Sequence, residues 1–439
     1  MGGKRWLGLL LLLAWAGPAA AQFRQDEVEP RDYRYRDDHF ISAFTYTPRL
    51  SHRWAWGWAS DELRRWWWSH PAVGYAVSAG SVSNDDLWVY QGAIVRLPLG
   101  DHLSGEYRFL QEEDYDSRYL RNEVELLVRL FRPGPSLGYS LGGTPAEDGL
   151  FLGALGLIDA DKEFADVGVV GGWRGEWLGL RLDLIAPDYF YNEKAEDFAE
   201  YRRRPITLRA KVGARLRHPD LELTAWWDHD LPLELRQPAE DDLRFRFRQF
   251  TGGAGVRWGV GEGVRWDLQV WGERTRKRRR TTDPLRNDDT DREAVTLLSG
   301  LELDRPPLLA SSSRLADVVL VSVFAHWMDE VRQAYLAPEG SVVRRVEAYG
   351  ELGYVLGIPS FSEQVQLAVR LTTQHGVVDF REVEQRSMRD SEHTRYMARG
   401  GLALEAEFLD GVGIAVIQFT LRMDEPSFGG GNGQVILRF

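Results

Sequence analysis

The 439-residue chain has no cysteine. That excludes a disulfide framework, a thiolate metal site and a cysteine nucleophile. Lysine is nearly as scarce, confined to Lys4, Lys162, Lys194, Lys211 and Lys277, so almost all positive charge is arginine. Beyond residue 21 no run approaches 18 consecutive apolar residues, which excludes transmembrane helices. The formal charge of -12 includes Lys4 and Arg5, so residues 22–439 carry about -14, an acidic balance that argues against nucleic acid as a partner.

The first 21 residues have three parts. "MGGKRW" is basic, "LGLLLLLAWAG" is apolar, and "PAAAQ" sets small residues before Gln22, the layout of a cleaved secretory signal. Residues 22–71 read as a periplasmic segment. It opens with the charged "QDEVEPRDYRYRDD" and contains "HRWAWGWASDELRRWWWSH", whose tryptophans suit an interfacial element; a plug or a first hairpin are the other readings.

From residue 72 onward the chain alternates with period two. In "TLRAKVGARLR" Leu208, Ala210, Val212, Ala214 and Leu216 oppose Arg209, Lys211, Arg215 and Arg217. "LRFRFR" sets Phe245 and Phe247 against Arg244, Arg246 and Arg248, and "VRWDLQVWGE" sets Val264, Trp266 and Leu268 against Arg265 and Asp267. "QVQLAVRLTTQ" opposes Val369 and Leu371 to Arg370 and Gln374. Successive strand residues point to opposite faces, so period two predicts strands. Their lengths match the 9–11 residues that cross a membrane at a tilt, and their polar faces carry charges at mid-strand.

The pattern predicts strands near 72–81, 86–97, 102–110, 118–131, 136–143, 164–173, 176–185, 205–217, 220–228, 243–259, 263–273, 293–303, 315–328, 343–356, 362–375, 395–408, 412–423 and 433–439. Tight turns such as "LGD", "HPD" and "GEG" alternate with long polar linkers, "RTRKRRRTTDPLRNDDTD" among them. The stretch 144–163 reads as an outer loop, its apolar part a rival strand. The fold expected is all-β: a single transmembrane antiparallel up-and-down β-barrel of about 18 strands over residues 72–439.

The last residues, "GQVILRF", alternate Val435, Leu437 and Phe439 with Gln434, Ile436 and Arg438. This segment resembles the terminal strand of bacterial outer-membrane β-barrel proteins. The resemblance implies an outer-membrane location, closure of that strand on the first, reading of Val435, Leu437 and Phe439 by the barrel-assembly machinery, and surroundings of lipid and lipopolysaccharide.

A barrel this wide encloses an aqueous channel. The expected lumen lining is Arg209, Lys211, Arg215, Arg217, Arg244, Arg246, Arg248, Arg265, Asp267, Arg370, Glu405 and Glu407. The first seven would form one positive wall opposite acidic strands, a field that orients charged solutes. The run 274–280 would sit in an outer loop, suited to lipopolysaccharide phosphates. Asp228–His229, His326, His375 and His393 assemble no nucleophile–base set, so neither an enzyme, a cofactor nor a metal is expected. The function expected is passive diffusion of small hydrophilic, charged solutes. An export portal for a polymer and a closed structural or surface-interaction barrel are the alternatives.

Overall fold

In the computed structural model the chain forms one antiparallel sheet of 18 strands among the described residues. They are β1 (Val73–Ser81), β2 (Leu87–Pro98), β3 (Leu103–Glu113), β4 (Arg118–Phe131), β5 (Gly149–Asp159), β6 (Phe164–Arg174), β7 (Leu178–Ala186), β8 (Arg209–His218) and β9 (Leu221–Gln237). Then follow β10 (Leu243–Gly261), β11 (Val264–Arg280), β12 (Asp288–Arg305), β13 (Asp317–Ala334), β14 (Ser341–Ser362), β15 (Val365–Glu384), β16 (Arg389–Phe408), β17 (Gly413–Arg422) and β18 (Ser427–Arg438). With residues 102, 263, 281–287, 306, 308, 364, 423, 424 and 426, these are the residues the structure describes. The predicted signal, the 22–71 segment and Phe439 lie outside them.

Each strand pairs with its sequence neighbours, and β1 also pairs with β18, Tyr75 opposite Leu437 and Val77 opposite Val435. Every described strand therefore has a partner on both sides, as a barrel requires. Position 71–72 and the predicted strand 136–143 lie outside the described residues, whereas 149–159, expected as a loop, is strand β5. Its "GLFLGALGLID" is apolar on both faces. Phe151 and Leu155 pack inward, Phe151 beside Leu127 and Val170, while Leu150 and Leu152 are exposed. A strand without a polar face gives no alternation to read.

The long polar linkers also differ from expectation. β11 runs through the whole of "RTRKRRR" to Arg280, a short 3-10 turn (Pro284–Arg286) follows, and β12 begins at Asp288. β9, β15 and β16 extend in the same way. The β11 extension is polar on both faces, so hydropathy gives no signal there; the backbone ladder and cross-strand ion pairs carry that strand onward instead. As a result β9–β16 are 17–22 residues long, against 9–14 for the other ten strands.

The two faces differ in kind. In β7, Leu178, Leu180, Leu182 and Leu184 are exposed, while Arg181, Asp183 and Ile185 are buried. The same exposed apolar face recurs as Val124, Leu126, Val128 and Leu130 in β4, Val321 and Val323 in β13, Leu402 and Leu404 in β16, and Ile417, Phe419 and Leu421 in β17. A continuous exposed apolar surface of this extent has no place in water. In β12 and β13 it runs over nine residues, Val295–Leu303 and Val319–Trp327, which is a membrane-crossing length. Aromatic residues stand near its two margins: Trp227, Phe250, Trp327 and Tyr396 toward one, and Trp258, Trp266 and Tyr354 toward the other. Paired aromatic girdles of this kind mark the two interfaces of a membrane barrel.

Candidate functional site: the inner wall

Cross-strand pairs share a face, so the register assigns the inner side rung by rung. One rung runs Arg257–Asp267–Gly300–Ser322–Glu351–Gln374–Arg399, strand by strand from β10 to β16. It is ionic or polar nearly throughout. Gln374 Nε2 donates to Glu351 Oε2 at 2.6 Å, and Asp267, Glu351, Gln374 and Arg399 are all buried.

Below it, Arg265 pairs with Glu302 at 2.9 Å and Asp304 at 3.0 Å. Arg370 forms an ion pair with Glu405 at 3.3 Å and donates to Gln418 Oε1 at 3.1 Å. Ala403 lies between Arg370 and Gln418 in the register, and its small side chain leaves room for a guanidinium lying flat on the wall. Across the barrel Arg181 grips Asp183 through two bonds, 2.9 and 3.2 Å. Nearer the other rim, Arg292 pairs with Glu273 at 2.9 Å, Arg332 pairs with Asp288 at 3.0 Å, and Arg345 pairs with Glu347. Buried charges survive when paired and hydrogen-bonded, and here the partners come from neighbouring rungs along the wall.

Arg265, Asp267, Arg370 and Glu405, all expected in the lining, occupy this inner wall. Glu407 opposes Gln366 in the register, on the same face as Glu405. Positions 209, 211, 215 and 217 of β8 share the inner face, since Lys211 opposes Asp183 on β7. On the β9 side they face Asp230, Asp228, Thr224 and Glu222.

Arg244, Arg246 and Arg248 do not belong to this lining. They stand opposite Arg280, Arg278 and Arg276 of β11, in step with Phe250 on the outer face, and all three are exposed. The expectation put apolar residues outward throughout; above the aromatic girdle that rule lapses, because the outer face there meets water and headgroups rather than hydrocarbon. The expected seven-cation wall is thereby divided between the two faces of the sheet. The run 274–280 likewise lies in a strand, not a loop, with Arg274, Arg276, Arg278 and Arg280 outward and Thr275, Lys277 and Arg279 inward.

Sequence reasoning missed an apolar rung on the inner wall. Leu298, Phe324, Tyr349, Gly376 and Met397 are consecutive register partners, with Trp271 and Val378 packed against them. Phe324 and Tyr349 have ring centroids 5.7 Å apart. Tyr349 lies so close over Gly376 that a Cβ there would meet its Cδ1 at 1.9 Å. Its hydroxyl donates to Glu347 Oε2 at 2.9 Å, and beside it Thr296 Oγ1 bonds His326 Nδ1 at 2.9 Å. The signal was present in "VVLVSVFAHWM", where both faces are apolar, but the search for polar inner positions passed over it.

No protein-family model and no curated protein sequence matches the chain. Solved structures with a similar trace include a bacterial polysaccharide outer membrane secretin, at 11% identity and a TM-score of 0.36, covering 84% of this chain and 97% of that one. OccAB3 of Acinetobacter baumannii is 9% identical with a TM-score of 0.34, covering 84% and 98%. OprD of Pseudomonas aeruginosa is 10% identical with a TM-score of 0.33, covering 83% and 94%. At these scores the likeness carries no argument, and the class follows from the chain's own two faces. An antiparallel barrel with an apolar outer belt between aromatic girdles and an ionic inner wall is a membrane-spanning β-barrel of the outer-membrane kind.

Proposed function

We propose that the protein is an outer-membrane channel through which small hydrophilic, charged solutes diffuse passively. The observation that carries this reading is the division of charge between the faces. Arginine–carboxylate pairs fill the inner wall from Arg265 through Arg370 to Arg345, where a barrel serving only as an anchor has no use for them. A barrel of about 18 strands leaves an aqueous lumen rather than a side-chain core. Arg265 is accessible to a passing ion, while the buried pairs Arg370–Glu405 and Arg345–Glu347 keep the wall itself polar.

The test is current across a planar bilayer, with the refolded chain under asymmetric salt. A steady conductance is expected. Arg265→Gln should displace the reversal potential toward cation preference, because Glu302 and Asp304 lose their shared cation. Silence from a demonstrably folded barrel would overturn the channel reading.

A further inference from the structure

Two sectors of the inner wall are dry, and they stand opposite each other. Leu127, Phe151 and Val170 form a buried apolar cluster on β4, β5 and β6. Leu298, Phe324, Tyr349 and Met397 form another on β12–β16, and Val318, Leu320, Val355 and Ala368 form a third, nearer the two-residue turns, on β13, β14 and β15. The register puts these residues on the inner side. Phe151 shares a rung with Gly172 and Arg181, and Val170 opposes Asp183. Leu320 opposes Glu302, Val355 opposes Arg370, and Ala368 opposes Glu405. In a ring of 18 strands β5 and β14, the centres of the two sectors, are nine strands apart in either direction.

A round barrel does not account for this dryness. With strands spaced about 4.8 Å and tilted about 40°, 18 of them enclose a circle roughly 36 Å across, and inward side chains on opposite walls would both face water. Yet Phe151, Val318 and Val355 are fully buried, and Tyr349 and Met397 nearly so. Two sheets cover each other's side chains when they stand about 10 Å apart. The charges show the same division. The Arg370 side chain on β15, near the centre of its sector, is 1% exposed, whereas that of Arg265 on β11, at the flank, is 38% exposed. The wall is wet at its flank and dry at its centre.

We propose that the walls around β5 and β14 lie against each other, so that the lumen is pinched along that diameter and its aqueous path is confined to the flank at β11, past Arg265. Each apolar sector covers the other and needs no other partner. A solute held to the flank meets Arg265 and Asp304 at close range instead of an averaged ring of charge, which makes Arg265 the selecting residue. The path rests on the channel reading; the pinch does not.

The chain has no cysteine, so introduced thiols can carry spin labels without background. Leu152→Cys with Leu352→Cys labels the outer face of β5 and β14, and Tyr75→Cys with Trp258→Cys labels β1 and β10, also nine strands apart. All four residues are exposed, so the labels leave the inner clusters untouched. Pulsed electron double resonance on the full refolded chain should give a 152–352 distance about half the 75–258 distance. Equal distances would overturn the pinch, because the dry sectors would then take their cover from elsewhere in the chain. A second measurement compares single thiols at Arg265→Cys and Ala368→Cys, treated with a charged methanethiosulfonate and followed by mass spectrometry and by bilayer current. The thiol at 265 should react about 100-fold faster than the one at 368, and its reaction should lower the current. Equal rates would show the β14 sector to be wet and would overturn the proposal. Reaction at 265 without effect on a measurable current would overturn the path. Silence from every folded barrel would remove the channel reading and the path with it, while the two distances would still decide the pinch.

Discussion

Asp317 shows how a single carboxylate closes a gap in the ladder. β13 begins at this residue, while β14 continues past it to Ser362, so the pairing between the two strands ends at Val318 and Val355. Asp317 Oδ1 accepts from Gly357 N at 3.0 Å, and Oδ2 accepts from Leu308 N at 2.9 Å and Tyr354 Oη at 2.8 Å. Asp317→Ala strands two backbone donors and should cost about 2–4 kcal/mol, read as a lower urea midpoint of the refolded barrel. Arg370→Ala removes the arginine paired with Glu405, which is buried on the inner wall, and should cost about 3–5 kcal/mol, whereas the paired apolar replacement Arg370→Met with Glu405→Leu should recover most of it. Gly376 yields a third expectation. Alanine there collides with the Tyr349 ring and should cost about 1–3 kcal/mol. Adding Tyr349→Ala should remove that collision, so a double-mutant cycle should be clearly non-additive.

At the scale of strands, the sequence was most informative where one face meets lipid and the other does not. Leu180 and Leu182 against Arg181 and Asp183 could be placed from alternation alone, because hydrocarbon enforces it. β5 could not, since Phe151 and Leu155 make its inner face as apolar as its outer. Nor could the upper halves of β10 and β11, where polar residues lie on both faces and only the hydrogen-bond register separates Arg278 from Lys277. The inner wall was legible in part for the same reason: Asp267, Arg370 and Glu405 lie below the girdle, and Arg244, Arg246 and Arg248 above it.

The elements also differ in how their edges are covered. β16 pairs with β17 only from Arg399 to Phe408, and β9 pairs with β8 only from Leu221 to Asp230. Residues 389–397 and 233–237 therefore have a strand partner on one side only among the described residues. Their amides should exchange with deuterium sooner than those of residues 288–303 of β12 and 318–332 of β13, which are flanked on both sides. Hydrogen exchange of the folded barrel, followed by peptide mapping, checks this; protection at 233–237 equal to that of β12 would contradict it.

For the molecule as a whole, eight consecutive long strands and ten short ones imply a rim of two heights. The extra residues project at the end opposite the two-residue turns that join β8 to β9, β10 to β11 and β14 to β15. The described strands on the short side stop about 7–10 residues lower than their tall neighbours, roughly 23–33 Å measured along a strand. Under the proposed channel function, strand walls of unequal height would meet approaching solutes unevenly, so the orientation of the molecule in the plane of the membrane would become a determinant of flux.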